Sequence, residues 1–183
     1  MAQADRIGRA ACVALAVLAL LLVAPAARAE ISAFAGEYSG SAEVVKPGGE
    51  TEPRDMSVVI RETKGGFTLR WTSVSIKKDG RRKAKTYEIT FQPSDRGDVY
   101  AAAMTRNVFG HAVQLDPMKG EPYVWARIAG KTLTVFSLFV AENGDYEMQQ
   151  YDRTLAPGGL ELVYSSHRNG TPMRVLETFL KRK

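Results

Sequence analysis

From residue 38 onward, apolar and polar positions alternate with a period of two, and almost no stretch shows helical spacing. The alternation runs over 38–45, 56–63, 67–76, 86–92 and 99–105, then over 123–128, 133–141, 146–155, 160–167 and 173–180. These ten expected strands are rich in Thr, Val, Tyr and Phe, residues that suit a pleated, half-buried surface. Asp79-Gly80, Asn143-Gly144 and Asn169-Gly170 are two-residue hairpin signals, expected to hold positive φ at both central positions. Lys64-Gly65-Gly66, Ala129-Gly130 and Pro157-Gly158-Gly159 mark further reversals. Such short joints allow only antiparallel neighbours. A long meander loses its exposed edges by closing on itself. The expected fold is therefore all-β, an antiparallel up-and-down meander of about ten strands closed into a barrel, with a two-sheet β-sandwich as the alternative.

Two segments depart from the pattern. Residues 46–54 are polar, with two prolines and two glycines, and read as a loop. Residues 106–121 carry Phe109, His111, Val113, Leu115 and Met118 without a tight-turn pair. A segment of that length forms a short helix, a lid across one end of the barrel, or a plug over core residues.

The N-terminus has the three parts of a secretory signal peptide. Arg6 and Arg9 precede an apolar run over 10–23, and Ala27-Arg28-Ala29 follows Pro25 as a small-x-small cleavage site. The run has 14 residues, short of the roughly 20 needed to span a bilayer. Residues 1–29 are thus expected to be removed, leaving 30–183 as a single domain in the periplasm. The only cysteine, Cys12, leaves with them, so the mature domain has no disulfide. Of 25 Lys and Arg and 20 Asp and Glu, the leader holds three and one, leaving 22 against 19. That balance lacks the strongly basic face of a nucleic-acid binder.

Candidate chemistry is sparse. His111 and His167 lack metal-ligand spacing, so neither metal nor cofactor is expected. No Gly-x-Ser-x-Gly is present, no residue is assigned a catalytic role, and the chain is not expected to be an enzyme. Two strand faces stand out. Tyr123, Trp125 and Arg127 share one, and Glu147, Gln149, Tyr151 and Arg153 share another. If both point inward, Arg127, Tyr151 and Arg153 clamp an anionic head group while Trp125 and Phe91, with Tyr123 on the same face, line an apolar cavity. If they point outward, Arg and Glu pair across strands for little gain. A second feature is the hairpin tip with Lys77, Lys78, Arg81, Arg82, Lys83 and Lys85. It is either a contact for an anionic membrane surface or acidic envelope partner, or a solvated end that keeps an edge from pairing.

The opening Phe34-Ala35-Gly36-Glu37-Tyr38-Ser39-Gly40 is similar to the Gly-x-Trp start of calycin-type barrels, the lipocalins and their ten-stranded relatives, with Tyr38 where Trp is usual. The resemblance implies an aromatic plug at one barrel end, packed by a late Arg, for which Arg168 and Arg174 are the candidates. It also implies a carboxylate or phosphate ligand held by Arg and Tyr, as in ten-stranded lipid-binding barrels. Residues 115–128, ending in Tyr123-Val124-Trp125-Ala126-Arg127-Ile128, resemble a set of uncharacterised small exported alphaproteobacterial proteins. That likeness implies an envelope location and no named activity. The expected function is a periplasmic binding module holding a small apolar or amphiphilic anionic ligand. The alternative is a structural or interaction protein of the envelope with a packed barrel.

The exported protein should begin at Glu30, as read by N-terminal sequencing or intact mass. Membrane-bound protein that retains Met1 would overturn both the cleavage and the location.

Overall fold

The computed structural model describes residues 31–45, 51–103, 105–106, 112–113 and 115–183. The leader, and with it the expected cleavage site, lies outside the described residues. After a 3-10 turn over Ile31–Phe34 come β1 (Gly36–Val45), β2 (Thr51–Thr63), β3 (Gly66–Ile76), β4 (Arg82–Pro93) and β5 (Val99–Ala103). Two short pieces, β6 (Thr105–Arg106) and β7 (Ala112–Val113), pair only with each other. Then come β8 (Tyr123–Ala129), β9 (Thr132–Val140), β10 (Tyr146–Ala156), β11 (Gly159–Arg168) and β12 (Thr171–Arg182). The other ten strands form a closed antiparallel barrel in the order β1-β12-β11-β10-β9-β8-β5-β4-β3-β2. The sandwich alternative is set aside.

Closure gives every strand an inner and an outer face, and the period-two pattern fills them differently. At the end holding the β2–β3 and β8–β9 turns the interior is packed. Phe34, Ile60, Phe67, Leu69, Phe91, Leu133, Leu160 and Leu180 are all buried there. Phe67 stacks on Phe91 at 4.8 Å and meets Tyr100 edge-on at 5.2 Å. Each such side chain contributes about 1.5–3 kcal/mol by leaving water. Tyr38 plugs this end: its hydroxyl donates to the Phe34 carbonyl at 2.9 Å. The late Arg that packs on it is Arg182, 5.5 Å above the ring, which also donates to the Ala35 carbonyl. Arg168 and Arg174 take no part, because β12 runs two residues beyond the expected limit and delivers Arg182 instead.

Other sequence expectations shift in detail. β2 begins at Thr51, so only part of the expected 46–54 loop connects the strands. Only Asn169-Gly170 has positive φ at both turn positions, 50° and 78°. At Asp79-Gly80 and Asn143-Gly144 only the glycine is left-handed. There the amides of Lys77 and Ala141 bond the carbonyls of Arg81 and Asp145, giving three-residue turns that close on the glycine. Within the 106–121 segment, the described residues hold the β6–β7 pairing and a 3-10 turn, Pro117–Lys119, capped by the Asp116 carboxylate accepting from the Met118 amide. His111 lies outside the described residues.

Three glycines, Gly40, Gly66 and Gly159, mark where strands come too close for a side chain; at Gly66 a Cβ would overlap the Phe91 carbonyl oxygen. A Cβ on Gly159 would overlap the Leu180 carbonyl oxygen, and one on Gly40 the Phe179 carbonyl oxygen. Gly65 at the β2–β3 turn has open space around it. In urea denaturation, Gly159→Ala should therefore lose about 1–3 kcal/mol, the scale of overpacking a tight core. Gly65→Ala should change little. Equal stability of the two variants would show that β11 and β12 are not so closely apposed.

Candidate functional site

At the opposite end the barrel opens. Its interior holds a cavity of about 200 Å³, lined by Met56, Val58, Leu162 and Leu176 among apolar residues and by Trp71, Tyr87, Tyr151 and Tyr164. The aromatic groups form a connected wall. Trp71 stacks on Tyr87 at 5.1 Å and sits 5.8 Å from Tyr151, which is 4.8 Å from Tyr164. Trp71 enters because β3 alternates Phe67, Leu69, Trp71 on one face with Thr68, Arg70, Thr72 on the other. Tyr87 pairs with it in register on β4. Tyr87 is nonetheless 49% exposed, at the edge where the cavity meets solvent.

Arg153 reaches the cavity from β10 and is 2% exposed. Its Nε and Nη1 have no hydrogen-bond partner among the described residues. Its guanidinium carbon lies 5.6 Å from the Tyr151 ring centre. Burial pushes the Arg153 pKa down to about 10, with Tyr151 and Asp152 partly opposing the shift. The group is still charged at neutral pH. A base whose folded pKa lies below its unfolded value weakens the fold at every pH below the folded value. The cost is relieved only as pH rises past about 10. An orphaned buried cation of this kind is expensive, on the scale of several kcal/mol.

The inward positions of β10 continue as a hydrogen-bonded ladder toward the mouth. The Tyr151 hydroxyl donates to Gln149 Oε1 at 2.9 Å, Gln149 Nε2 to Glu147 Oε1 at 2.8 Å, and Arg168 Nη2 to Glu147 Oε2 at 3.2 Å. Burial raises the Tyr151 pKa, so its hydroxyl keeps its proton and stays a donor. The Gln149 amide, with lesser help from Arg168, holds the Glu147 carboxyl below its ordinary value. The ladder orients the Tyr151 ring, and its donors are directed away from Arg153.

Of the sequence candidates for the clamp, the structure brings together Tyr151 and Arg153 alone. Tyr123, Trp125 and Arg127 do share a face, but it is the outer one. Val124, Ala126 and Ile128 fill the inner face of β8. Trp125 lies outside between Tyr123 at 5.7 Å and Phe136, on which it stacks at 4.9 Å. Phe91 belongs to the packed end and does not line the cavity. The aromatic wall of Trp71, Tyr87 and Tyr164 was missed, although the Phe67-Leu69-Trp71 alternation carried the signal for the first of them.

The basic hairpin also divides. Lys77 donates to Glu52 at 2.9 Å, Arg81 to Asp79 at 2.6 Å and Arg82 to Asp55 at 2.7 Å. Lys78 is exposed at the tip. Lys83 and Lys85 stand on the inward row of β4, beside Arg54 and Arg174, around the mouth. The tip therefore presents less uncompensated charge than its composition suggests, and part of that charge is turned to the barrel entrance.

No protein-family model matches this chain, and no curated protein matches it. The architecture, a closed ten-strand antiparallel barrel, is consistent with a calycin-like barrel.

Because two Arg153 nitrogens are buried without a partner among the described residues, Arg153→Met should stabilise the protein by about 1–4 kcal/mol. Urea denaturation at neutral pH measures this. Destabilisation by that amount would mean that the guanidinium is satisfied in the folded protein.

Proposed function

We propose that this protein is a binding barrel for a small amphiphilic anion, with the anionic group on Arg153 and the apolar body against the aromatic wall. The observation that carries the reading is the buried guanidinium with two unpartnered nitrogens on a cavity. A carboxylate is the natural complement, because it accepts charge-assisted bonds from an Arg fork. Trp71, Tyr87, Tyr151 and Tyr164 supply apolar faces with polar tips, which suits a ligand that is partly apolar.

Cavity size narrows the occupant. A dry cavity of about 150 Å³ holds one benzene ring. The volume here, about 200 Å³, suits one ring or a short chain carrying its acid. A long-chain fatty acid would have to leave most of its tail in the open mouth. In this reading the protein works in the periplasm as a member of a small exported family. Support for the location comes from the leader-like sequence of residues 1–29. The exposed basic hairpin is the candidate contact with an anionic envelope surface.

Benzoate and octanoate should each raise the melting temperature of the wild type by mass action. At a hundred times Kd the gain is about 2.7 kcal/mol. The gain should be absent in Arg153→Met. Equal shifts in wild type and variant, or none in either, would remove the anion site.

A further inference from the structure

Among the described residues, those lining the cavity include four cations, Arg54, Lys85, Arg153 and Arg174, and no carboxylate. They lie at two depths. Arg153 pairs in register with Leu162, and Leu162 with Thr178 on β12. Arg174 is four residues nearer the mouth than Thr178, roughly 13 Å along the strand. Arg54 is likewise four residues mouthward of Val58, which pairs with Trp71. Lys85 pairs with Ser73, one inward step above Trp71. The aromatic wall thus separates one deep cation from three at the entrance.

The entrance group is also incompletely satisfied. Arg54 Nη2 reaches Glu52 Oε1 at 3.4 Å, but Arg54 Nε is buried without a partner among the described residues. Two described carboxylates at this end are already engaged: Glu52, which stands at the mouth beside Arg54, Lys85 and Arg174, with Arg54 and Lys77, and Glu147 with Arg168 and Gln149. Neither lines the inner cavity. A single carboxylate on Arg153 would leave the Arg54 nitrogen, Lys85 and Arg174 facing the same bound molecule, with Glu52 and Glu147 as their carboxylate neighbours, both already shared with Lys77 and Arg168.

We infer that the ligand is a small dianion, with acidic groups at the two ends of one ring or a short chain, the inner one on Arg153 and the outer one among Arg54, Lys85 and Arg174. This rests on the anion site proposed above. The rival role for the entrance cations is steering alone, which raises the association rate of any anion without holding it. The two differ in equilibrium affinity.

Matched pairs of probes separate them: benzoate against terephthalate, and octanoate against octanedioate. Affinities would be measured by calorimetry on wild type, Arg153→Met and Lys85→Ser/Arg174→Ser. Lys85 and Arg174 are exposed, and circular dichroism checks that the double variant folds; Arg174→Ser alone serves as a milder second variant. At least one dianion should bind wild type about ten-fold or more tightly than its monoanion, the scale of one added charge-assisted contact. That advantage should vanish in the entrance variants, while monoanion affinity stays within about two-fold. Equal wild-type affinities within both pairs, or an advantage that survives the double variant, would overturn the dianion while leaving the Arg153 site standing. If no probe binds wild type, or binding ignores Arg153→Met, the anion site fails and the dianion with it.

Discussion

Closure of β1 onto β12 is the constraint from which the rest of the molecule follows. The seam is short in register, with Tyr38 opposite Arg182 and Ser39 opposite Lys181. It is reinforced where the Thr178 hydroxyl donates to the Ser41 carbonyl at 2.7 Å. Gly40 allows the β12 backbone to approach, and Arg182 covers the Tyr38 ring from the end of β12. Without that seam the ten barrel strands are an open sheet with two long edges, and the inward row has nothing to face. With it, inward positions from strands far apart in sequence meet across one interior.

That interior changes character along the barrel axis. At the Tyr38 end, aromatic and aliphatic groups pack without polar partners except the Tyr38 hydroxyl, which finds a backbone carbonyl. In the middle, the Tyr151 hydroxyl donates toward the mouth, to Gln149. At the mouth, Arg54, Lys83, Lys85 and Arg174 surround the opening. Arg153 breaks the gradient, since it is a charge placed at the level of Leu162, below the aromatic wall. An apolar residue would pack there at less cost. A guanidinium kept in such a place is more readily understood as a ligand group than as a support for the fold.

Much of this was legible in the sequence, and the failures have identifiable causes. Strands and reversals were readable because a pleated strand with one buried face must alternate, and because tight reversals need glycine. Arg153 and Tyr151 were readable as sharing a face with Gln149 and Glu147. What alternation does not give is phase. On β8 it offers Tyr123-Trp125-Arg127 or Val124-Ala126-Ile128 as the inner row, and size decides: the interior there already holds Phe67, Phe91 and Tyr100, leaving room for small aliphatic groups. The entrance cations were hidden for another reason. Arg54, Lys85 and Arg174 come from β2, β4 and β12, and only closure brings them to one opening.

The same geometry links stability to occupancy. Arg153 is buried and cationic with two nitrogens unpartnered among the described residues, so part of the folding free energy from the packed end is offset at the cavity floor. An anion that fills this position relieves a cost already present in the empty protein. Its binding then stabilises by both the contacts made and the penalty removed. The entrance behaves differently, because Lys85 and Arg174 are exposed to water, so an anion paired with them gains contacts but relieves no burial penalty. Arg54 lies between these limits, with one guanidinium nitrogen on Glu52 and another unpartnered among the described residues. Depth along the barrel therefore sets how much each cation would gain from an anion beside it.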